Sequence, residues 1–230
     1  MDSFVNLLTE LGFVRTNTPL SRPLVVHAVA GAGKSSLIRR HLESNPNAVA
    51  QTWSRPDHPN LLQRYIRPYV GATPGAFNIL DEYPAQPLQG DWDVVIADPL
   101  QYGKYTIPPH YVKSITHRFG KATTSFLQEQ GFLVHPADDC VEDSCTTAGI
   151  FDGPLQGHII AVDHAAKSLV EAHGVQATCP KSDLGLQYDV VTAVSTRPLS
   201  EIPDRHNLYI ALTRHKIHLH VLTPQAYTTT

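Results

Sequence analysis

Nowhere in the chain does an apolar run approach the roughly 20 residues that span a bilayer. The opening Met1-Asp2-Ser3 also lacks the basic and apolar regions of a secretory signal. Both absences lead to the expectation of a soluble, intracellular protein. Cysteine is scarce: Cys140, Cys145 and Cys179 are odd in number and widely spaced, which fits reduced thiols better than a disulfide framework. No second Cys/His pair stands at ligand spacing beside Cys140 and Cys145, which argues against a structural zinc site. A large charge of one sign is missing too. A formal net charge of −3 supplies no global attraction for a polyanion, so any nucleic-acid contact has to be a local basic groove. What is present is 230 residues, 42% of them hydrophobic, enough for one large or two small globular domains.

The most informative stretch is Ala28-Val29-Ala30-Gly31-Ala32-Gly33-Lys34-Ser35-Ser36. It stands between the apolar Leu24-Val25-Val26-His27 and a helix-like Leu37-Ile38-Arg39-Arg40-His41-Leu42. Strand, glycine loop, helix is the context of a phosphate-binding loop. Small residues let backbone N–H groups turn inward, a lysine reaches the β/γ-phosphates, and a hydroxyl reaches Mg²⁺. Gly31, Ala32, Gly33, Lys34, Ser35 and Ser36 supply these groups. Ala28 replaces the first glycine of the usual pattern, at a place where the strand is ending. The bland reading is a glycine-rich turn that caps an ordinary helix.

Other segments extend the pattern. Phe4, Leu7, Leu8 and Leu11 recur at helical spacing, with Asp2 or Ser3 as N-cap and Gly12 as stop, and predict an amphipathic helix packed on the first domain. Ala48 to Trp53 reads as a second strand. The following segment to Tyr69 interleaves Arg55, Arg64 and Arg67 with Trp53, Tyr65 and Tyr69, either a single-strand RNA track or a solvated surface. Phe77 to Tyr83 is an apolar strand ending in Asp81 and Glu82. The first acid is suited to hold Mg²⁺ through water and the second to orient an attacking water; a surface turn is the ordinary alternative. Asp93 to Gln101 repeats the buried strand, with Asp98 and Gln101 expected at the same carboxyl edge and Gln101 as a sensor of the γ-phosphate.

Residues 102–109 read as a linker, helices are expected over Ala122–Gln130 and Ala165–Ala172, and Asp138 to Asp143 as a solvated acidic loop. Strands are expected at Gly157–Asp163, Asp189–Ser195 and Ile217–Leu222. A helix over Asn207–Lys216 carries Leu208, Ala211, Leu212 and His215 on one stripe, so Arg214 is expected to project away from the core. The Thr228-Thr229-Thr230 tail is expected to be mobile.

In this order the segments resemble the superfamily 1 RNA helicase-like proteins of plant viruses, most closely the potexvirus triple-gene-block movement protein family. Val25 to Ser35 resembles motif I, Leu80 to Tyr83 motif II, Ala97 to Gln101 motif III and Thr116 to Phe119 motif IV. Gly185 to Thr192 resembles motif V and Tyr209 to Lys216 motif VI. Leu184 and Gln187 depart from motif V, where relatives often have threonine and glutamate. The resemblance implies an α/β fold of two small RecA-like domains with parallel sheets and a nucleotide site in the cleft between them. Residues 1–22 would be the N-terminal helix and lead-in, 23–107 the first RecA-like domain and 108–230 the second.

It further implies ATP or another NTP with Mg²⁺ as cofactors. Lys34, Glu82, Gln101, Arg118 and Arg214 are then the catalytic candidates, the last two arginines reaching the phosphates from the second domain, with Ser35 and Asp81 at the metal. Arg55, Arg64, Arg67, Thr52 and Gln187 are the candidate RNA contacts. The implied role is an NTPase that remodels or transports single-stranded viral RNA from cell to cell and suppresses RNA silencing. The alternative is a non-unwinding RNA- and protein-binding module that uses nucleotide as a structural ligand or switch. Coat protein, other movement proteins, host silencing factors and a second copy of the chain are the implied partners. The implied location is the host cytoplasm, with plasmodesmata or inclusion bodies as further sites.

Overall fold

The first two turns of the chain, Asp2–Glu10 (α1), bury Phe4, Leu7 and Leu8. Phe4 meets the His41 ring edge-on at 5.0 Å and the Phe77 ring at 6.1 Å, so the apolar stripe is spent on packing. Leu11 caps α1, and Gly12 takes φ +75° to turn the chain. The computed structural model describes residues 1–224; the Thr228–Thr230 tail lies outside the described residues. The described chain divides into two units, Met1–Ile115 and from Thr116 onward.

In the first unit the strands are Val14–Arg15 (β1), Leu24–Ala28 (β2), Ala48–Thr52 (β3), Arg67–Pro68 (β4), Phe77–Asp81 (β5), Val94–Ala97 (β6) and Tyr111–Lys113 (β7), with helix Lys34–Ser44 (α2) between β2 and β3. They form one sheet in the order β1-β7-β2-β6-β5-β3-β4, parallel throughout except for β1 on β7. Every side chain of β2 and β6 is buried, as a parallel strand covered on both faces requires. Beneath them Val25, Leu80, Tyr83, Trp92, Val95 and Ala97 form one apolar cluster, each large side chain contributing about 1.5–3 kcal/mol of burial. The expected boundary after residue 107 lies inside this unit, because β7 pairs with β2 and brings Tyr111–Lys113 into the first sheet.

Past Ile115 the order is Ile115–Thr116 (β8), Lys121–Glu129 (α3), His135–Pro136 (β9), Ser144–Ala148 (β10), His158–Ala161 (β11), His164–Ala172 (α4), Tyr188–Val194 (β12), Arg205–Leu212 (α5) and His215–Leu222 (β13). β8 and β9 make a two-stranded ribbon, and β10-β13-β12-β11 a wholly parallel sheet. Ile159, Ala161, Ala166, Val170, Val194 and Leu222 fill the space between that sheet and α4. Asp163 and Asp204 accept the Ala166 and Asn207 N–H groups at 2.8 and 3.0 Å and so start α4 and α5.

Two expectations change here. The acidic loop is not merely solvated: the Asp143 carboxylate accepts the N–H groups of Ala122 and Thr123, both at 3.1 Å, and caps α3 from outside. The last helix ends at Leu212 rather than Lys216, because Thr213 turns its hydroxyl back on the Tyr209 carbonyl (2.8 Å) and the chain extends from His215 into β13. Arg214 therefore sits after the helix, only 2% exposed, and not on an outer helical face.

Candidate functional site

Ala28 is the last residue of β2, and from there the chain makes the tight loop that the glycines permit: Gly31 and Gly33 adopt φ +78° and +92°. A Cβ at Gly33 would meet nothing within 4 Å, so its backbone angle, not crowding, demands glycine. Ala32 directs its N–H to the Val29 carbonyl (3.2 Å), shaping the loop. Lys34 opens α2 and folds back, donating from Nζ to the carbonyls of Ala28 (2.9 Å) and Val29 (3.1 Å). Ser35 is half-buried and Ser36 exposed in the same turn.

Asp81 ends β5 and Glu82 follows it, both within electrostatic reach of this lysine. Thr52 lies opposite Asp81 in register and donates its hydroxyl to Asp81 Oδ2 at 3.2 Å, while Oδ1 is buried without a partner at good hydrogen-bond geometry. Burial holds the Asp81 carboxyl above its ordinary range, and the Lys34 ammonium pulls it back. Glu82 occupies the left-handed region (φ 55°, ψ 38°), a strain that a non-glycine residue keeps only where its surroundings hold it. Its Oε2 is also buried with no partner at good hydrogen-bond geometry. Burial, then the Asp81 charge, pushes the Glu82 carboxyl up to about 7. The Tyr102 hydroxyl stands beside it, and burial, then the charge and hydrogen bonding of Glu82, raises its pKa.

Gln101 is buried in the turn after β6 and donates Nε2 to Asp98 Oδ2 at 2.9 Å; Asp98 acts electrostatically on Glu82 and on His27. His27 shares a 2.8 Å hydrogen bond with the Tyr83 hydroxyl, which accepts the Ile107 N–H, and burial lowers its pKa to about 4, so the ring is neutral. Residues 102–109, expected to be a linker, thus run inside the first unit, with Tyr102 beside Glu82 and Ile107 bonded to Tyr83.

These residues fit a Mg²⁺–nucleotide. The loop and the start of α2 offer an anion cradle, and the one side-chain ammonium in it is held only by backbone carbonyls. Among the described residues the buried oxygens Asp81 Oδ1 and Glu82 Oε2 have no partner at good hydrogen-bond geometry, the situation a cation or its water would relieve. Lys34, Asp81, Glu82 and Asp98 act on one another electrostatically, and Gln101 is hydrogen-bonded to Asp98. Thr52 is a correction: at 2% exposure, with its hydroxyl on Asp81, it supports the acid and is unavailable to RNA. Its signal in the sequence was faint, a polar residue ending a buried strand. Tyr102 and the His27–Tyr83 pair were missed because nothing in the linear order relates them to Glu82.

Of the remaining RNA candidates, Arg55 is exposed, Arg64 donates to the Glu43 carbonyl (3.0 Å), and Arg67 donates to the Gln63 carbonyl (2.8 Å) over the Tyr65 ring. Trp53 and Tyr69 stack on each other at 3.7 Å. In the second unit, Arg118 donates to the Thr213 carbonyl (2.8 Å) and Arg214 to the Thr213 hydroxyl (3.1 Å), so one threonine gathers both arginines. Gln187 is exposed in the turn before β12. That turn is anchored by the 1% exposed Asp183, which accepts from the Tyr188 hydroxyl at 2.8 Å and meets His158 Nε2 at 3.2 Å, with the His158 and Tyr188 rings stacked at 3.7 Å. Asp183 and His158 escaped notice because they stand apart in sequence.

A phosphate loop followed on neighbouring parallel strands by paired acids and an Asp–Gln turn, joined to a second parallel α/β unit with paired arginines, is the architecture of a helicase-type core. The family model of the viral superfamily 1 RNA helicase core domain matches residues 24–223. The chain belongs to that family and, within it, to the TGBp1 proteins of potexviruses. It is 48% identical over 227 residues to the movement and silencing protein TGBp1 of Plantago asiatica mosaic potexvirus, covering 97% of each chain. Against the protein of the same name from Papaya mosaic potexvirus it is also 48% identical, covering 98% of this chain and 96% of the relative. Among solved structures it resembles arterivirus nonstructural protein 10, a helicase, with TM-score 0.54 at 17% identity, and the PRRSV helicase with TM-score 0.55 at 15% identity. Each match takes in 96% of this chain, which spans 57% and 50% of those helicases. That likeness bears on the fold alone, two RecA-like α/β units with parallel sheets.

Proposed function

We propose that the chain is a Mg²⁺-dependent nucleoside triphosphatase that acts on single-stranded viral RNA in cell-to-cell movement and in suppression of silencing. The observation that carries the reading is the pair of buried carboxyl groups of Asp81 and Glu82, both raised by burial and both drawn down by the Lys34 ammonium beside them. Gly31, Ala32, Gly33, Lys34, Ser35 and Ser36 would hold the phosphates of ATP or another NTP, and Ser35 with Asp81 the Mg²⁺, which supplies charge neutralisation at the phosphates. Lys34 exchanges its loop carbonyls for phosphate oxygens. Glu82, with a pKa near neutrality, is suited to orient the attacking water and take its proton. Gln101 is held ready by Asp98, and Arg118 and Arg214 are the cations proposed to stabilise developing charge.

Arg55, Arg67 and Gln187 are the proposed RNA contacts, together with Arg64, which is tethered to the Glu43 carbonyl. The names of the relatives support the movement and silencing role, exercised in the host cytoplasm with coat protein, other movement proteins and silencing factors as partners. Among the described residues no helix is long and apolar enough to cross a membrane. The test is hydrolysis with and without single-stranded RNA at low salt, where phosphate contacts are strongest. Lys34→Ala should abolish it, and Arg118→Ala, at a half-buried position, should lower it by about 10³-fold. A Lys34→Ala protein hydrolysing at the wild-type rate would sink the assignment of the loop. Nucleotide binding without hydrolysis in the wild type would leave a nucleotide-switched binding module.

A further inference from the structure

Between β3 and β4 the chain leaves the sheet in a loop whose tip has no use in the nucleotide site. The loop is closed at its neck, where the Asp57 N–H donates to the Ile66 carbonyl (2.9 Å) and the Ile66 N–H to Asp57 Oδ2 (3.2 Å). Arg39 of α2 clamps Asp57 with two donors at 2.6 and 3.0 Å. Asn60 grips both backbone groups of Arg64, accepting its N–H at 3.0 Å and donating to its carbonyl at 2.7 Å, and Gln63 is held at φ 57°. Arg64 in turn reaches the Glu43 carbonyl in the last turn of α2. The tip is thereby tied to the end of α2 opposite the phosphate loop, about 16 Å along an 11-residue helix.

This well-fastened loop presents Leu61 and Leu62 to solvent at 102% and 72% exposure. Holding two adjacent aliphatic side chains outward by so many hydrogen bonds has no folding benefit. Their neighbours in sequence are basic: across residues 53–70 the three arginines Arg55, Arg64 and Arg67 face one acid, Asp57, itself clamped by Arg39, while the whole chain carries −3. An exposed leucine pair in a segment with an excess of arginine over acid is complementary to an anionic lipid surface, where leucines enter the acyl boundary and arginines meet headgroup phosphates. RNA gives the leucines no partner, because bases stack on rings; the RNA contacts proposed for Arg55 and Arg67 therefore leave Leu61 and Leu62 without a role. Two leucines at a point are also far from the roughly 800 Å² that a protein partner covers on each side.

We propose that the Leu61–Leu62 tip is a membrane-docking element that inserts into anionic lipid headgroups. The experiment is flotation of the purified full chain with vesicles of phosphatidylcholine alone or in equal parts with phosphatidylserine. Expected is flotation with the anionic vesicles, reversed by added salt, and a fall of at least about tenfold in bound protein for the Leu61→Ser/Leu62→Ser variant. Both positions are exposed, so circular dichroism of that variant should match the wild type, and its retention of single-stranded RNA should be unchanged. Failure of the wild type to float with anionic vesicles, or equal flotation of the variant, would overturn the proposal. A parallel loss of RNA retention in the variant would overturn it as well, assigning the tip to RNA.

Discussion

Thr52 shows how a side chain outside the expected set determines the behaviour of one inside it. With its hydroxyl on Asp81 Oδ2, it fixes which carboxylate oxygen remains open. Partners of this kind typically influence metal affinity by 10–100-fold. Thr52→Val keeps the shape of the buried strand end and removes only the donor. It should weaken Mg²⁺ support of nucleotide binding by about tenfold, read as a shift in the Mg²⁺ midpoint of fluorescent-nucleotide binding with little change in thermal midpoint. An unshifted Mg²⁺ midpoint would show that the hydroxyl serves only the fold. Lys34, Asp81 and Glu82 were legible in sequence because spacing and strand context define their chemistry. Thr52 was not, because its role depends on the parallel register that sets it opposite Asp81, and register between β3 and β5 is decided by packing across 24 intervening residues.

Among the elements, the buried parallel strands β2, β5, β6 and β12 were legible as apolar runs, since burial on both faces leaves no alternation to misread. The segment around Arg214 misled for the opposite reason. Leu208, Ala211, Leu212 and His215 keep helical spacing, yet Thr213 closes the helix and His215 belongs to β13, where it bonds Thr123 at 2.8 Å. Periodicity carried through a cap cannot announce the cap. The start of α3 makes a related point. Gly120 brings no side chain to it, and a Cβ there would lie 2.2 Å from the Val141 carbonyl oxygen, so the loop packs against the glycine and delivers Asp143 to two free helix N–H groups. Asp143→Ala should cost about 1–2 kcal/mol, seen as a lower urea midpoint of the second unit, with Asp143→Asn intermediate. A midpoint equal to that of the wild type would mean solvent satisfies those donors equally well.

At the scale of the whole molecule, the two units differ in their burdens in acid. In the second, burial lowers His215 to about 3, and His220 shifts the same way. Below pH 6.5 the unfolded chain takes up a proton that the folded unit refuses, so this unit loses stability as pH falls from 6.5 toward 3, by about 1.4 kcal/mol per pH unit for His215. In the first unit His27, lowered to about 4, acts in that direction, as do His41, lowered by burial, and Asp57, lowered by its Arg39 hydrogen bond, but Glu82, raised to about 7, acts against them. Between pH 7 and 4.5 the folded first unit holds a proton on Glu82 that the unfolded chain does not, and Asp81 is shifted with the same sign. The two effects offset each other, so the second unit is the one that weakens first. Both tryptophans, Trp53 and Trp92, belong to the first unit, so their fluorescence reports it selectively, while far-ultraviolet circular dichroism reports both. On moving from pH 7.5 to pH 5, the dichroism transition in urea should shift to lower denaturant by more than the fluorescence transition, opening a gap between the two curves. His215→Gln, which has no proton to take up, should narrow that gap. Should the fluorescence transition move as far as the dichroism transition, the acid sensitivity would belong to the first unit and the offset between His27 and Glu82 would be refuted.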